Sequence, residues 1–572
     1  MIPPANCTLS SDLVFHPNWW KQVVLDVRLR SNNITFSTVA DPVPDEVDSG
    51  GNTWLSWVLL LSLLMWTVKK NLFDPLHHWD RLGVRTGPRL LPYFGHLWGI
   101  WKEQIFELDH YAIHKESRIL GYYEGHRPVL LVGEPEVIKE LMVTRFEDFT
   151  DRRSPLQPVP KYIRKMLFWQ KGDEWRLSRQ VISPFFTMSK TRQMMSVMNQ
   201  CVDQMIAETL GKTGSEGIEL DMKAMSVCLS MDTITRCVYG IRIPGLLDPQ
   251  HPVIQHSGLF NKQVESPFIV LVAKYPFLAS ILYRILPDFM GFQNINFYVE
   301  LGRQILNEKA AGSESLRSEF LELLLKVRTL EEETGSVVRN NNHLLNHHKV
   351  PNQKNQVRMM TEEMILAQAF FLVIAGFETT STVLAGAAFC LASNPDCQDK
   401  LYQELKERFP DRNVEMTQED LAKCSYLDKV VKESLRLFPA IYRLERIAVR
   451  DTELDGIPIR KGDLAVVPTW AIHHSADHYE NPDLFDPDRW NEDRMGEPAP
   501  FTYMPFGAGP RICLGKRFAQ ENLKTTIAKW VLNFSFQKGP RTPDTFQCGP
   551  NPISMTPKDI FVKLVPRHPL QK

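Results

Sequence analysis

The stretch TEEMILAQAFFLVIAGFETTSTVLAGAAFCLAS at 361–393 contains no proline and reads as one long helix. Thr361 suits the N-cap, Glu362 and Glu363 suit the first turn, and Asn394-Pro395 ends the helix. At about 1.5 Å per residue such a helix spans on the order of 50 Å, enough to cross a large domain. The chain has 572 residues, room for one large domain or several ordinary ones.

The surrounding pattern is mainly helical from about 134 to 438. Residues 119–133, ILGYYEGHRPVLLVG, read as two short strands around a Gly-His turn. From 440 onwards short strands and turns dominate, followed by a helix from about 515 to 533. The expected class is mainly α with small β-sheets (α+β). No internal repeat is visible. Residues 331–357, rich in Asn, Gln, Glu and His, read as a flexible, solvated loop. Its His343, His347 and His348 lack a carboxylate or thiol to complete a metal site. The apolar stretch 268–291 contains Lys274, Pro276, Arg284, Pro287 and Asp288, which argue against a membrane span. It reads either as core or as a surface element dipping into a membrane interface.

Near the N-terminus, WLSWVLLLSLLMWTV at 54–68 is free of charge and of breakers. It is short against the roughly 20 residues of a span, but Lys69 and Lys70 can snorkel to lengthen it, and Trp54, Trp57 and Trp66 suit interfacial anchoring. A buried core helix is the alternative. Lys or Arg are missing from 34–53, where Asp41, Asp45, Glu46 and Asp48 stand, while Lys69, Lys70, Arg81, Arg85 and Arg89 follow. That asymmetry places the C-terminal side in the cytosol. The expected division is a luminal extension over 1–52, an anchor over 53–73, a linker over 74–95 and a catalytic domain over 96–572. Sequons at Asn6 and Asn33 agree with a luminal N-terminus and with a glycoprotein.

The formal net charge of -1 gives no reason to expect nucleic acid as a partner. Nine cysteines occur without a CxxC pair, and their spacing resembles neither a zinc site nor a disulfide framework. One of them, Cys513, sits in FGAGPRICLG at 506–515. A buried structural thiol is the common fate of such a cysteine. Here Gly507, Gly509 and Gly515 permit unusual backbone shapes, and a helix pattern begins at Lys516. A helix N-terminus and nearby cations stabilise a thiolate, which serves as nucleophile or metal ligand. Phe506 and Pro510 suit a flat apolar body, and Arg511 suits a carboxylate.

FGAGPRICLG resembles the cytochrome P450 haem signature F-x-x-G-x-R-x-C-x-G at every fixed position. Four further motifs of that family follow the same resemblance. They are Ala375-Gly376-Phe377-Glu378-Thr379-Thr380, the Glu433 to Arg436 E-x-x-R, Phe485-Asp486-Pro487-Asp488-Arg489-Trp490, and the Trp175–Arg179 W-x-x-x-R pair. Together they cover roughly residues 85–567. FTDRR at 149–153, RLER at 443–446 and FLVIAGFETTST at 371–382 are similar to the clan containing cytochrome P450 family 3 and, more distantly, thromboxane synthase. The luminal extension, the proline-poor hinge at 83–95 and the long 331–357 loop depart from the family's pattern.

The resemblance implies a cytochrome P450 fold and haem b, with Cys513 as axial thiolate. It implies that Arg152, Trp175, Arg179, Arg446, Phe506 and Arg511 hold the cofactor. Glu433, Arg436 and Arg489 would form a buried network behind the Cys513 loop. Glu378 and Thr379 would relay protons through water; back-bonding of the Thr379 hydroxyl and a surface salt bridge of Glu378 are the alternatives. Gly376 costs roughly 1 kcal/mol in a helix interior, and close approach of the cofactor or O2 is one reason to tolerate it. Phe371 and Ala375 share a helix face with Glu378 and, with Ile441, Tyr442 and the 154–170 loop, are candidate substrate contacts, although core packing explains them equally well. The implied enzyme is a membrane-bound monooxygenase that oxidises a lipophilic steroid, lipid or xenobiotic with O2. Electrons would come from NADPH through cytochrome P450 reductase, with cytochrome b5 a candidate second donor, at the endoplasmic reticulum membrane. Arg176, Lys190, Lys516 and Arg517 are candidate docking cations, or simply a solvated face. Thr379 favours oxygen activation over a thromboxane synthase-like isomerase, and the Glu378–Thr379 pair speaks against a non-catalytic haem sensor.

Overall fold

The computed structural model describes residues 53–70, 74–87, 105–124, 127–153, 161–214, 216–243, 251–264, 281, 285, 293–310, 320, 322, 361–549, 551 and 554–568. The sequons, the 331–357 loop, residues 154–160 of the candidate pocket loop and most of 268–291 lie outside them. Two units are distinguished, Met1–Trp66 and Thr67–Lys572.

Helix α1, Thr53–Val68, has 16 residues and reaches roughly 24 Å, less than the ~30 Å of a hydrocarbon core. From Trp57 on, its large side chains are open to solvent, Trp57 at 66% and Leu64 at 54% among them. Among the described residues, the one helix long and apolar enough to cross a membrane is Glu362–Ser393, and it is mostly buried in the fold.

The larger unit is helix-rich. In chain order it contains α2 Ile105–Tyr111, β1 Ile119–Glu124, β2 Arg127–Val132, α3 Lys161–Lys165, α4 Gly172–Ile182, α5 Met188–Lys212, β3 Ile218–Asp221 and α6 Met222–Tyr239. There follow α7 Pro252–Val264, α8 Gln293–Ala310, α9 Glu362–Ser393, α10 Pro395–Arg408, α11 Ser425–Leu437, β4 Leu444–Ile447, β5 Leu464–Val467, α12 Lys516–Asn533, β6 Phe534–Gln537 and β7 Phe561–Pro566. The expected long helix is α9, with 32 residues, and the Thr361 hydroxyl accepts the Met364 N–H as its cap. Both expected strands at 119–133 form, as does the helix after Gly515.

Two cores organise the fold. The larger gathers the apolar faces of α4–α12 around the nearly all-buried α9. The smaller lies under a four-stranded sheet ordered β1-β2-β5-β4, in which only β2 and β5 pair parallel. A second sheet, β3-β7-β6, closes the C-terminal edge. Residues 74–87, expected in the linker, are part of the smaller core. Trp79 is fully buried, its indole N–H donates to the Tyr122 carbonyl at 3.2 Å, and Thr86 bridges Gly121. A large aromatic ring in a polar segment has more to gain from burial than the segment loses in freedom.

Candidate functional site

The loop before α12 is held by its own backbone. The Cys513 N–H donates to the Phe506 carbonyl at 2.9 Å, and the Ile512 N–H to the Gly509 carbonyl at 2.9 Å. Gly507 and Gly509 take φ of 75° and 69°, in the left-handed region. At Gly509 a Cβ would lie 1.9 Å from the Met142 carbonyl oxygen. This glycine is therefore required by the neighbouring backbone, in the unusual backbone shape expected from the sequence. Cys513 is solvent-accessible. Burial nevertheless raises its pKa, opposed by the Gly515 amide bonded to sulfur and by the Arg179, Arg152 and Lys516 cations. The thiol is reachable by solvent yet crowded by protein atoms. The cations and the amide expected to favour a thiolate are present, but burial outweighs them; a bound metal removes the proton outright.

Four guanidiniums converge on this thiol's surroundings. An isolated bridge between Asp151 and Ile447 sets Arg152 beside β4, where Arg446 pairs with Ala465 of β5. Arg152 donates to the Arg511 carbonyl at 3.3 Å and lies over the Phe168 ring at 4.2 Å. Arg511 donates to the Gln170 carbonyl at 2.8 Å and stacks over Trp175 of α4 at 4.3 Å. Arg179, one turn further along α4, is half-buried and feels Cys513 electrostatically. Burial and mutual repulsion depress these groups: Arg152 to about 10, Arg511 to about 9, and Arg446 well below its usual value. Of the nearby carboxylates, Glu445 is held by Arg153, while Asp151 accepts the Gly172 N–H at 3.0 Å and lies 4.0 Å from Arg511 Nη2. Arg446 Nε and both Arg511 Nε and Nη1 are buried without a hydrogen-bond partner. Buried donors on clustered cations call for an anion. With Phe506 and an accessible thiol beside them, they fit a haem carrying two carboxylates. Residue by residue, the sequence expectation for Arg152, Trp175, Arg179, Arg446, Phe506, Arg511 and Cys513 is of one site, and the structure brings these residues together.

Behind the thiol loop lies the expected network, fully buried. Glu433 accepts Arg436 through Nε at 2.9 Å and Nη2 at 2.8 Å, Arg489 Nε at 2.9 Å, Trp490 Nε1 at 3.1 Å and the Asp486 N–H at 3.1 Å. The remaining guanidinium protons satisfy the carbonyls of His473, Glu480, Asn481, Pro482 and Leu484. His473, which sequence reading missed, completes it. Its Nδ1–H donates to the Arg436 carbonyl at 3.1 Å, and its Nε2 accepts the Met504 N–H at 2.9 Å. The imidazole thus ties the end of α11 to the strip that leads into Cys513. His473, next to His474 at the end of a five-residue helix, offered no periodic signal for this.

On α9 the structure separates two residues expected to act together. The partly open stripe runs through Phe371, Ile374, Ala375 and Thr379. Glu378 is buried on the side facing α6, where Lys223 Nζ reaches its Oε1 at 2.9 Å. The ion pair weighed for Glu378 is present, but buried and not on the surface. The Thr379 hydroxyl donates back to the Ala375 carbonyl at 2.7 Å. Phe371 and Ala375 share their face with Thr379, and Ile374 joins them. Gly376 faces α6: a Cβ there would lie 2.8 Å from Ile234, so helix packing, and not a ligand, requires this glycine. Ile441 is half-buried, while Tyr442 points into the core and donates to the Asn551 carbonyl at 2.8 Å. Phe168, 6.4 Å from Phe371 by ring centroid, was passed over within its loop.

Comparison with known proteins agrees with this arrangement. The family described as Cytochrome P450 matches residues 86–564. Cytochrome P450 3A29 of Sus scrofa is 30% identical over 518 residues, 90% of this chain and 97% of that protein. Cytochrome P450 3A25 of Mus musculus is 31% identical over 520 residues, again 90% and 97% of the two chains. Lithocholate 6-beta-hydroxylase of Mesocricetus auratus is 29% identical over 517 residues, with the same coverage. Monooxygenases of this kind bind haem through a cysteine thiolate and use O2, a redox partner and a lipophilic substrate. From the match across nearly the whole larger unit, the chain belongs to the cytochrome P450 family and is a monooxygenase.

Proposed function

We propose that Cys513 is the axial ligand of haem b, that Arg152, Arg179, Arg446 and Arg511 hold its propionates, and that Trp175 and Phe506 pack against it. The observation that carries this reading is the accessible Cys513 thiol beside partnerless guanidinium nitrogens of Arg446 and Arg511. Haem held by these residues would supply the activation of dioxygen, which ligation by a cysteine thiolate favours. The chain's own residues hold the loop, neutralise the carboxylates and supply protons. The Thr379 hydroxyl, on the open stripe of α9, keeps its lone pairs for water while donating to Ala375. Glu378, on the preceding residue, is its proton source. Glu433, Arg436 and Arg489 fix the backbone that presents Cys513.

Substrates are steroids, other lipids or xenobiotics, admitted along Phe371, Ile374 and Ala375, with Ile441 at the loop after α11. The name lithocholate 6-beta-hydroxylase borne by one relative supports a sterol-sized ligand. Electrons come from NADPH through cytochrome P450 reductase, with cytochrome b5 as an additional donor. Lys516 and Arg517 suit an acidic partner; of the other two candidate cations, Lys190 donates to Gln193 at 3.4 Å and Arg176 is engaged by Glu147 at 2.6 Å. The exposed apolar α1, with Lys69 and Lys70 after it, supports a single-pass anchor over 53–73 in the endoplasmic reticulum. That leaves 1–52 luminal, residues 74–95 leading in, and 96–572 as the cytosolic catalytic domain.

The test is the reduced, CO-bound spectrum of microsomal protein. Wild type is expected to show the red-shifted Soret band of thiolate-bound haem, and Cys513→Ser to lose it. Retention of that band in Cys513→Ser overturns the ligand assignment. Turnover that requires neither NADPH nor O2 overturns the monooxygenase route.

A further inference from the structure

Gln368 is an amide in an otherwise apolar turn of α9, flanked by Ala367, Ala369 and Phe370, and it is fully buried. An amide left unbonded at such a position costs about 1–3 kcal/mol. Both ends of this one are bonded. Its Oε1 accepts the Leu167 N–H at 2.8 Å, and its Nε2 donates to the Lys165 carbonyl at 2.5 Å. Lys165 is the last residue of α3, where a helix leaves carbonyls without intrahelical partners. The side chain is thus a short rung between the central helix and the segment that leads to Trp175.

The residues after Leu167 carry the consequence. The chain turns tightly there, the Trp169 and Gln170 N–H groups both donating to the Met166 carbonyl, at 2.9 Å and 3.0 Å. Phe168 stands in that turn and is half-buried. Its ring meets Trp169 edge-on at 4.4 Å, lies under the Arg152 guanidinium at 4.2 Å, and has its centroid 6.4 Å from that of Phe371. That last separation is within aromatic contact range. Two residues on, the Gln170 carbonyl accepts Arg511 Nη2 at 2.8 Å. Segment 165–170 is therefore pinned at one end to α9 and at the other to the Cys513 loop, with Phe168 between. Gln368 precedes Phe371 by three and Ala375 by seven, so one face of α9 carries the rung, the aromatic contact and then the open stripe. An apolar side chain at 368 would pack against the segment but leave its depth free. An amide bonded to a donor and to an acceptor two residues apart sets depth and direction together.

We propose that Gln368 is a positioning residue for substrate selection: by fixing Lys165 and Leu167 against α9 it holds the Phe168 ring on Phe371, closes that end of the stripe and limits the bulk of the lipophilic body admitted beside Ala375. This rests on the reading of the Phe371–Ala375 face as the substrate route. Slender molecules pass the ring pair, and bulky, branched ones meet it. Gln368 is buried behind the rings, so it acts through Phe168 and not by touching the substrate.

The test uses the full-length, haem-loaded enzyme and two imidazoles of different bulk, 1-methylimidazole and 1-tritylimidazole, whose binding is read from the Soret shift. The measured quantity is the Kd of the trityl compound divided by that of the methyl compound. Wild type is compared with Gln368→Met, which matches the side chain in length but makes neither bond, and with Gln368→Asn, one methylene too short to reach both groups. Phe168→Ala and Phe371→Ala each remove one ring. The Gln368 variants and both ring variants are expected to lower the ratio several-fold, and adding Gln368→Met to Phe168→Ala should lower it no further. Should Phe371→Ala leave the ratio unchanged, the route reading fails and the proposal with it. Should Phe371→Ala lower the ratio while Phe168→Ala, or both Gln368 variants, keep the wild-type value, the role of Gln368 is overturned alone and the route reading stands. Additive effects of Gln368→Met and Phe168→Ala also overturn it, because Gln368 then acts elsewhere than through Phe168. Gln368 variants that fold but fail to take up haem overturn it as well, since the amide then serves the cofactor and not the choice of substrate.

Discussion

The His473 imidazole accepts the Met504 backbone N–H at 2.9 Å, and so joins the α11 arginine network to the strip entering the Cys513 loop. That contact requires Nε2 to be unprotonated, because Nδ1 carries the proton given to the Arg436 carbonyl. Burial, with Arg436 nearby, pushes His473 down to about 3 from 6.5. Between those values the unfolded chain binds a proton that the folded protein refuses. Stability is therefore full above about pH 6.5 and falls as pH drops toward 3. The loss reaches roughly 2 kcal/mol at pH 5 from this residue. His474 is also buried and depressed, and adds in the same direction. Thermal unfolding should show Tm falling from pH 7 to 5, with a shallower fall in His473→Gln. An equal slope in that variant contradicts the assignment of the acid loss to His473.

Removing one of the clustered cations should separate the stability of the empty protein from its hold on haem. Arg511 is depressed to about 9, mainly by burial and then by Arg152, and two of its nitrogens lack partners. Arg511→Gln relieves repulsion among the guanidiniums, so the Tm of the haem-free protein should be unchanged or higher. The same change removes charge-assisted bonds worth about 1.5–3 kcal/mol, which makes haem loss roughly 10- to 100-fold faster. Haem transfer to an apo-globin acceptor and a thermal scan of the stripped protein measure the two effects. Slower haem loss in the variant would count against propionate binding by Arg511.

Local signals made much of this fold legible. The cap at Thr361 and the Asn394-Pro395 stop gave α9 its ends because they act within a few residues of themselves. Glu433 and Arg436 were readable as one face of a helix for the same reason. Lys223 was not, since its partner Glu378 is 155 residues away and only the packing of α6 on α9 brings them together. Trp79 was hidden by the polar character of its neighbours. The glycines show the limit most clearly. Their presence was visible, but what each one admits was not: the Met142 carbonyl at Gly509, and Ile234 at Gly376, where close approach of a cofactor or O2 was one expectation.

Gly376 supplies a direct check on that correction. Alanine in a helix interior gains about 1 kcal/mol over glycine. Here the added methyl would sit 2.8 Å from Ile234 Cγ1, and overpacking costs about 1–3 kcal/mol. Gly376→Ala should therefore lower stability on balance. Combined with Ile234→Ala, the losses should be less than additive, because the second change removes the atoms that the first collides with. Additive losses in the unfolding cycle would place the constraint elsewhere, for instance on the cofactor side of the helix.

The carboxylate of Glu433 holds two buried arginines, an indole and a backbone amide at once, so its loss leaves two buried cations uncompensated. Glu433→Gln keeps the volume but offers one acceptor oxygen where two were used, and turns an NH2 group toward guanidinium donors. Breaking a buried pair from one side costs about 3–5 kcal/mol. The exposed pair of Lys400 and Asp488, 2.6 Å apart, is worth at most about 1 kcal/mol, so Lys400→Ala is the contrast. The expected outcome is a large fall in Tm for Glu433→Gln, accompanied by poor haem content, against little change for Lys400→Ala. The haem deficit follows because Arg436 and His473 then lose their fixed backbone partners, and the Met504 strip that leads to Cys513 is no longer pinned. A Glu433→Gln protein with wild-type Tm and full thiolate-type haem would show that the loop holds its shape without the network.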